Sequence, residues 1–231
     1  MTGLRFVGYY LLLMFLGINI IMATVVFKAN VFGGLIYQLV KNKKIMKKIV
    51  IGLTGEAGSG KDTVGKYLEE EYGATQVRFA DPIKETLSIY FDKLSREDQS
   101  WLFGVFQERF GADILSRAIR KRIEEDSNEM IVVNGLRMPP DYDFIRSFEN
   151  SYVLYVTADQ KTRWQRSTGR GEKSDDGASF EDFKESEKKE TEVHIPEIGA
   201  KSDYKIENNE DLETLLQKVD DFLQEIGFCK K

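Results

Sequence analysis

The feature that most constrains this chain is an apolar run followed at once by a glycine-rich loop. Residues 49–53 are apolar, and Gly55, Gly60 and Lys61 follow them at the spacing G-x-x-x-x-G-K. Glycines at these positions let backbone N–H groups curl around a phosphate, because no Cβ stands in the way. A helix that starts after the loop points its positive N-terminal dipole at the same phosphate. The pattern predicts a strand, a phosphate-binding loop (P-loop) and a helix.

The loop and the first helical turn supply candidate ligands for ATP. Lys61 is placed to reach the outer phosphate oxygens and is a candidate catalytic residue. The Ser or Thr that usually follows this lysine is replaced by Asp62, with Thr63 after it, and these two are the candidates for magnesium. A glycine-rich turn without a ligand would need strand, glycines, lysine and helix to agree by chance. The predicted ATP-binding residues are Gly55, Glu56, Ala57, Gly58, Ser59, Gly60, Lys61, Asp62 and Thr63.

Apolar runs and helical patterns alternate through residues 46–231. Buried parallel strands read as continuous apolar runs, and strands that alternate with helices favour a parallel sheet covered on both faces. We therefore expect an α/β, three-layer P-loop NTPase fold with a five-stranded parallel sheet. Trp101 and residues 103–106 are expected to lie in the core. The predicted strands are residues 49–53, 75–80, 130–133, 152–157 and 204–207.

Charge is unevenly distributed along the chain. Residues 1–45 carry five basic residues and no acidic one, so the rest of the chain has 28 basic and 38 acidic residues and a net charge of −10. Such an acidic domain is a poor general binder of nucleic acid, and no nucleic-acid partner is expected. The one cysteine, Cys229, excludes an internal disulfide, which suits a reducing cytosol.

The N-terminal segment, residues 1–45, has two interpretations. Residues 6–27 form an uncharged stretch of 22 residues, long enough for a transmembrane helix. The lysines that follow place the C-terminal domain in the cytoplasm, where ATP is. Alternatively, Met46 is the natural start and a misassigned start codon joins upstream sequence to it. In either case residues 46–231 form the P-loop domain, which is membrane-anchored only if residues 1–45 are translated.

Polar residues follow two further predicted strands, at the sheet edge where open α/β folds bind ligands. Asp81 comes after the second strand, as a helix cap or as a group that faces the acceptor substrate. Asn134 ends the third strand, where P-loop enzymes place the acid that orients magnesium through water. Arg137 leaves the same strand end and favours a phosphate contact. Asp81 and Arg137 are the candidate acceptor-binding residues.

Three arginines lie beside a glycine-bearing loop. Arg163 and Arg166 are three residues apart and share one helix face, and Arg170 follows in the loop of residues 168–178. In an acidic domain these arginines indicate a clamp that neutralises charge on the phosphoryl group during transfer. The loop is then expected to be a mobile lid that excludes water. The alternative is a solvated basic helix paired with nearby acids.

Residues 55–63, together with the run Phe-Ala-Asp-Pro-Ile-Lys-Glu of residues 79–85, resemble the phage and bacterial deoxynucleoside monophosphate kinases, where a Gly-Lys-Asp-Thr loop is usual. The C-terminal half is similar to nucleotide kinases related to dephospho-CoA kinase and adenylate kinase. The resemblance covers residues 47–226 and implies a helical acceptor-binding insert at residues 81–126 and a lid at 168–178. Asn134 departs from it, because the family has an Asp there.

The sequence therefore predicts an ATP- and Mg²⁺-dependent phosphotransferase. Its acceptor is expected to be a small molecule, a nucleoside or deoxynucleoside monophosphate. Dephospho-CoA kinase is the alternative within this class. The alternative from another class is a membrane-anchored, nucleotide-binding regulator that transfers no phosphate. Neither the acceptor nor the oligomeric state follows from the sequence.

Overall fold

The computed structural model describes residues 48–168, 179–190 and 192–228, all within one compact unit of the chain, Lys47–Lys231. A five-stranded sheet in the order β2-β3-β1-β4-β5, with every pairing parallel, forms its centre. The predicted fold class is confirmed. The strands are β1 (Ile49–Thr54), β2 (Thr75–Val77), β3 (Met130–Leu136), β4 (Ser151–Thr157) and β5 (Tyr204–Glu207).

Nine helices in the described residues connect and cover these strands. Parallel neighbours need long crossover connections, so helices fall between the strands. The helices are α1 (Lys61–Tyr72), α2 (Asp81–Ser88), α3 (Arg96–Phe110), α4 (Ile114–Glu125), α5 (Pro139–Arg146), α6 (Gln160–Thr168), α7 (Phe180–Ser186), α8 (Ile195–Ala200) and α9 (Leu212–Glu225).

Two apolar clusters, one on each face of the sheet, form the core. β1 is buried along its whole length, and its successive side chains point to opposite faces. Ile51 joins the cluster built with α1 and α9, which contains Leu68 and Phe222. Val50 joins the cluster built with α4 and α5, which contains Ile119 and Ile145. The domain therefore has the three layers that the continuous apolar strands predict.

The helical insert departs from the prediction at α3. No residue of this helix is buried, and Trp101 is 67% exposed, so the expectation that Trp101 and residues 103–106 lie in the core is wrong. The apolar side chains of α3 have helical spacing, but the helix lies beyond the sheet. α3 packs against α2 and α4, and both of these helices have buried residues, unlike α3. Spacing alone does not tell an amphipathic core helix from one with a partly uncovered apolar face.

The N-terminal segment and most of the lid fall outside the described residues. The N-terminal segment contains residues 6–27, which were predicted as a possible transmembrane helix. The part of the lid that falls outside is residues 169–178, which include Arg170. Within the part of the chain that is described, none of the helices has the length and apolar character needed to cross a membrane.

Phe222 offers a test of the sheet–helix packing. It is 1% exposed, and its ring lies 5.3 Å from that of Tyr204 and 6.3 Å from that of Tyr152. Phe222→Ala should lower the free energy of unfolding by about 3–5 kcal/mol, because it opens a cavity in the larger cluster. Leu212→Ala on the same helix is the control, since Leu212 is 58% exposed. Chemical denaturation of both variants makes the measurement, and equal losses would contradict the assigned core.

Candidate functional site

The P-loop connects β1 to α1 with the geometry of a phosphate cradle. Gly60 is the N-cap of α1, has a left-handed backbone (φ 101°) and provides no side-chain cap. The first N–H groups of a helix have no partner within the helix, and the helix dipole makes this end positive. α1 therefore presents backbone donors where the loop ends, directly before Lys61.

The glycines of the loop are required by packing as well as by conformation. Gly58 has φ 77°, and a Cβ there would lie 2.2 Å from the backbone oxygen of Arg163. A Cβ on Gly60 would lie 2.4 Å from Nδ2 of Asn208. The loop is thus pressed against the start of α6 on one side and the end of β5 on the other. Its shape is fixed before any ligand binds.

Asn208 is a site residue that the motif analysis missed. It is 6% exposed and follows β5, its Nδ2 donates to the backbone oxygen of Ser59 (2.8 Å), and its backbone N–H donates to Thr157 (2.7 Å). Asn208 therefore ties the loop to two strand ends. The available signal was a pair of asparagines directly after a predicted strand, at the edge of the sheet that carries the loop.

Glu56 is held by the sheet through its side chain. Its carboxylate accepts hydrogen bonds from the hydroxyls of Tyr155 and Thr157. Burial, together with the hydrogen bond to Glu56, raises the pKa of Tyr155 to about 12, so the phenol stays a donor at neutral pH. The side chain of Glu56, a predicted ATP-binding residue, therefore already has hydrogen-bond partners in β4.

Asp62 lies in the first turn of α1, next to Lys61 and Thr63, and all three side chains are partly exposed. One carboxylate oxygen of Asp62 accepts from Nδ2 of Asn134 at 3.1 Å. The guanidinium of Arg78 lies 3.6 Å from the same oxygen. The end of β3 and the segment after β2 thus meet at the first turn of α1. The two predicted magnesium residues, Asp62 and Thr63, lie at this junction.

Two buried side-chain oxygens at the loop, Ser59 Oγ and Asn134 Oδ1, have no hydrogen-bond partner within the described residues. Buried polar atoms are nearly always paired, and exceptions in a folded protein call for an explanation such as a missing ligand or water. Ser59 belongs to the P-loop itself, and Asn134 lies on β3 in contact with the first turn of α1. Among the described residues, no group of three or more His, Cys, Asp or Glu side chains is placed to hold a metal by itself. Magnesium fits this site nonetheless, because it takes one or two carboxylates plus substrate phosphates and water.

Arg163 is engaged in contacts other than those predicted for the clamp. It is 7% exposed, pairs with Glu187, and donates from Nε to the backbone oxygen of Ala158 at 2.9 Å. Its guanidinium also lies 5.8 Å from the ring centre of Phe183. These contacts join α6 to α7 and support a structural role. The part of Arg163 in the clamp stays a prediction without support from this arrangement.

Arg166 and Arg137 are also engaged, in different parts of the site. Arg166 donates to the backbone oxygens of Asn208 (2.8 Å) and Glu210 (3.3 Å), so it binds the loop that follows β5. Arg137 forms an ion pair with Glu192. The structure therefore brings Arg166 to the Asn208 side of the P-loop, whereas Arg137 stays at the end of β3. Arg170 lies outside the described residues.

Asp81 has a local structural contact. Its carboxylate accepts from the backbone N–H of Arg78 at 2.7 Å, and the N-cap of α2 is Ala80. This turn ends β2 at Val77, three residues before the predicted end. Asp81 is therefore no N-cap, and an acceptor contact by Asp81 stays a prediction.

A cleft of about 460 Å³ opens beside the P-loop. Its wall includes Glu56 from the loop, Arg163 from α6 and Glu187 from the segment after α7. Lys184 and Lys188 add two cations to the same wall. The cleft thus places a mixed set of charges next to the phosphate cradle.

The pair of Arg163 and Glu187 predicts a stability effect. Arg163→Met should lower the free energy of unfolding by about 3 kcal/mol, because Glu187, whose side chain is 20% exposed, then loses its charged partner. Lys188→Met is the control, since the Lys188 side chain is 70% exposed and pairs with Glu185 at the surface. Thermal and urea unfolding measure both variants. A purely catalytic Arg163 would leave the stability unchanged.

Comparisons with known proteins agree with this geometry. Residues 51–193, more than half of the chain, match the protein family described as "AAA domain". A UPF0200 protein of Methanothermobacter thermautotrophicus is 29% identical over 164 residues, which cover 71% of this chain and 83% of that protein. A UPF0200 protein of Thermoplasma volcanium is 30% identical over 174 residues, which cover 73% and 93%.

Solved structures show the same fold. A Thermus thermophilus protein of known crystal structure aligns with a TM-score of 0.54 at 20% identity, over 78% of this chain and 98% of that one. Shikimate kinase from Bacteroides thetaiotaomicron aligns with a TM-score of 0.52 at 15% identity, over 78% and 99%. At such identities the likeness concerns the fold alone. The chain therefore has a P-loop domain with a kinase-like fold, and it belongs to the AAA domain family and to the UPF0200 proteins.

Proposed function

We propose that this protein transfers the γ-phosphoryl group of ATP to a small acceptor, a nucleoside or deoxynucleoside monophosphate. The observation that carries the proposal is the P-loop itself. Gly60 leaves the N-terminus of α1 without a side-chain cap, and Lys61 follows at once. A helix end of this kind, preceded by a glycine loop, is a ready binding site for phosphate.

Each part of the loop has a role in the proposed transfer. The backbone N–H groups of the loop cradle the donor phosphates, and Lys61 neutralises charge on the outer ones. An oxygen of the acceptor forms a bond to the γ-phosphorus while the bond to the bridging oxygen of ADP breaks. Because this transition state needs little covalent help, catalysis rests on positioning and on stabilising charge.

Mg²⁺, when bound with the nucleotide, would neutralise charge on its phosphates. Asp62 and Thr63 are the residues that would hold it. The buried oxygen of Asn134, without a partner, supports a polar ligand at this place. The carboxylate of Asp62 supplies a negative charge there that attracts a divalent cation.

Fewer contacts support the proposed acceptor-binding residues. Arg137 is proposed to bind the acceptor phosphate, and for this it must exchange Glu192 for a phosphate oxygen. Phosphate competes well for arginine, because the guanidinium binds it through two parallel hydrogen bonds. Asp81 completes the proposed acceptor-binding set. Arg166 and Arg170 remain the proposed clamp.

There are two alternatives to this proposal. A dephospho-CoA kinase would use the same loop with a larger acceptor. A nucleotide-binding regulator that transfers no phosphate is favoured by one observation: Arg163 and Arg137 both pair with glutamates, at Glu187 and Glu192. We also propose that the domain works in the cytoplasm, with a small molecule and no nucleic acid as partner, and that residues 6–27 anchor it if they are translated.

A transfer assay tests the proposal. The full-length protein is incubated with γ-labelled ATP, Mg²⁺ and a panel of monophosphates, with dephospho-CoA and shikimate as further acceptors. Label in a nucleoside diphosphate is the expected result. Label in CoA selects the first alternative. Nucleotide binding without any labelled product favours the regulator and overturns the phosphotransferase.

Lys61→Ala should abolish transfer and weaken ATP binding, because it removes the cation next to the transferring phosphoryl group. The expected loss of rate is on the order of 10²-fold or more. The midpoint of thermal unfolding should stay close to that of the parent, since Lys61 lies in the loop-facing turn and outside both core clusters. Lys66→Ala is the matched control on the same helix, where Lys66 pairs with Glu70 at the surface. Normal turnover in Lys61→Ala would refute the role of the loop.

A further inference from the structure

Two residues at the P-loop have chemical characters opposite to those expected for their positions. The position at the end of β3, where P-loop enzymes carry an acid, is Asn134, and the position after the lysine, usually a hydroxyl residue, is Asp62. The two side chains are in direct contact, with 3.1 Å between Nδ2 of Asn134 and Oδ1 of Asp62. The contact thus contains one carboxylate and one neutral polar group, but the carboxylate lies on α1 and the neutral group on β3.

A chain of hydrogen bonds fixes the orientation of the Asn134 amide. Glu69 accepts from Nε2 of Gln76 at 2.8 Å, which turns Oε1 of Gln76 toward Asn134. Nδ2 of Asn134 donates to this oxygen at 3.3 Å and to Asp62 at 3.1 Å. Both amide protons of Asn134 therefore point at acceptors, and its Oδ1 is on the other side of the amide.

The backbone of β3 is specially shaped at this position. Leu53 of β1 pairs with Asn134, but the next residue of β1, Thr54, pairs with Leu136, so Gly135 is an extra residue with φ 90°. Thr54 Oγ1 donates to the backbone oxygen of Leu136 at 2.9 Å and secures the strand beyond this bulge. Bulges re-aim side chains and are frequent next to active sites. Here the bulge directly follows the residue that contacts Asp62.

The oxygen of the Asn134 amide is buried and has no partner within the described residues. Asn134 is 4% exposed, and a buried acceptor without a hydrogen bond is destabilising. Such a cost is explained if the oxygen is paired when a ligand is bound. Water in the shell of a bound cation can donate the missing hydrogen bond.

We propose that Asp62 and Asn134 have exchanged roles: Asp62 supplies the negative charge for the magnesium ion of the bound nucleotide, and Asn134 is the positioning residue that orients its carboxylate. This inference rests on the proposed function, since it concerns the same nucleotide site. The site keeps one negative charge, moved from the strand to the helix. The carboxylate also lies 3.6 Å from the guanidinium of Arg78.

An exchange of roles predicts that the charge can be moved back. The measured quantity is the enhancement of ATP affinity by MgCl2, from calorimetric titration of full-length protein with ATP in the presence and absence of the salt. Asp62→Asn should reduce this enhancement about tenfold or more. The double variant Asp62→Asn, Asn134→Asp should restore it to within about threefold of the parent, because the carboxylate is then on β3.

Asn134→Ala tests the positioning role separately. It keeps the charge of Asp62 but removes the group that orients it, so the enhancement by MgCl2 should fall by about tenfold while the affinity for ATP alone is unchanged. For the Asn134→Asp change of the double variant, Asn128→Asp is the control, because it adds the same charge at an exposed asparagine before β3. Thermal melting of each variant checks the fold.

Three results would overturn the inference: Asp62→Asn that keeps the enhancement, a folded double variant no better than Asp62→Asn, or an unchanged enhancement in Asn134→Ala. The last result decides the matter if the double variant does not fold. The transfer assay gives a separate answer. A protein whose magnesium response follows the exchange but that transfers no phosphoryl group keeps this inference and loses the proposed function.

Discussion

The close packing of the P-loop backbone against the start of α6 and the end of β5 is the constraint on which the site depends. Gly58 touches the backbone of Arg163, and Gly60 touches Asn208, at distances that leave no room for a Cβ. The side chain of Asn208 then fixes the loop through Ser59. Because folding already determines the loop shape, little conformational entropy is lost when a phosphate binds. The sheet thus acts as the support of the site.

Charge around this support is largely paired within the protein. Arg163 and Arg137 carry glutamate partners, and Asp62 is shared between Asn134 and Arg78. An arginine that already holds a carboxylate can exchange it for phosphate, because both ligands offer two oxygens to the same guanidinium. Any phosphate that binds must therefore compete with these glutamates. The buried pair of Arg163 is the one for which exchange would cost most.

The parts of the fold that follow from local pattern were predictable, and those that depend on neighbours were not. Buried strands read as apolar runs, and the glycine spacing specified the loop, because both patterns reflect the backbone itself. Trp101 was misplaced, since helical spacing on α3 does not reveal what covers it. Arg163 shares a helix face with Arg166, but the distant Glu187 decides its contacts. Asn208 was missed because its role requires two chain segments about 150 residues apart.

The sequence by itself determined a parallel α/β sheet, the phosphate-binding loop after β1 and the order of the strands along the chain. These features rest on interactions between residues close in sequence and on the alternation of apolar runs. The tertiary structure alone decided the strand order, the bulge at Gly135 and the contact of Asn134 with Asp62. The physical reason is that a hydrogen bond between residues on different elements depends on how the sheet brings their ends together, which no local pattern encodes.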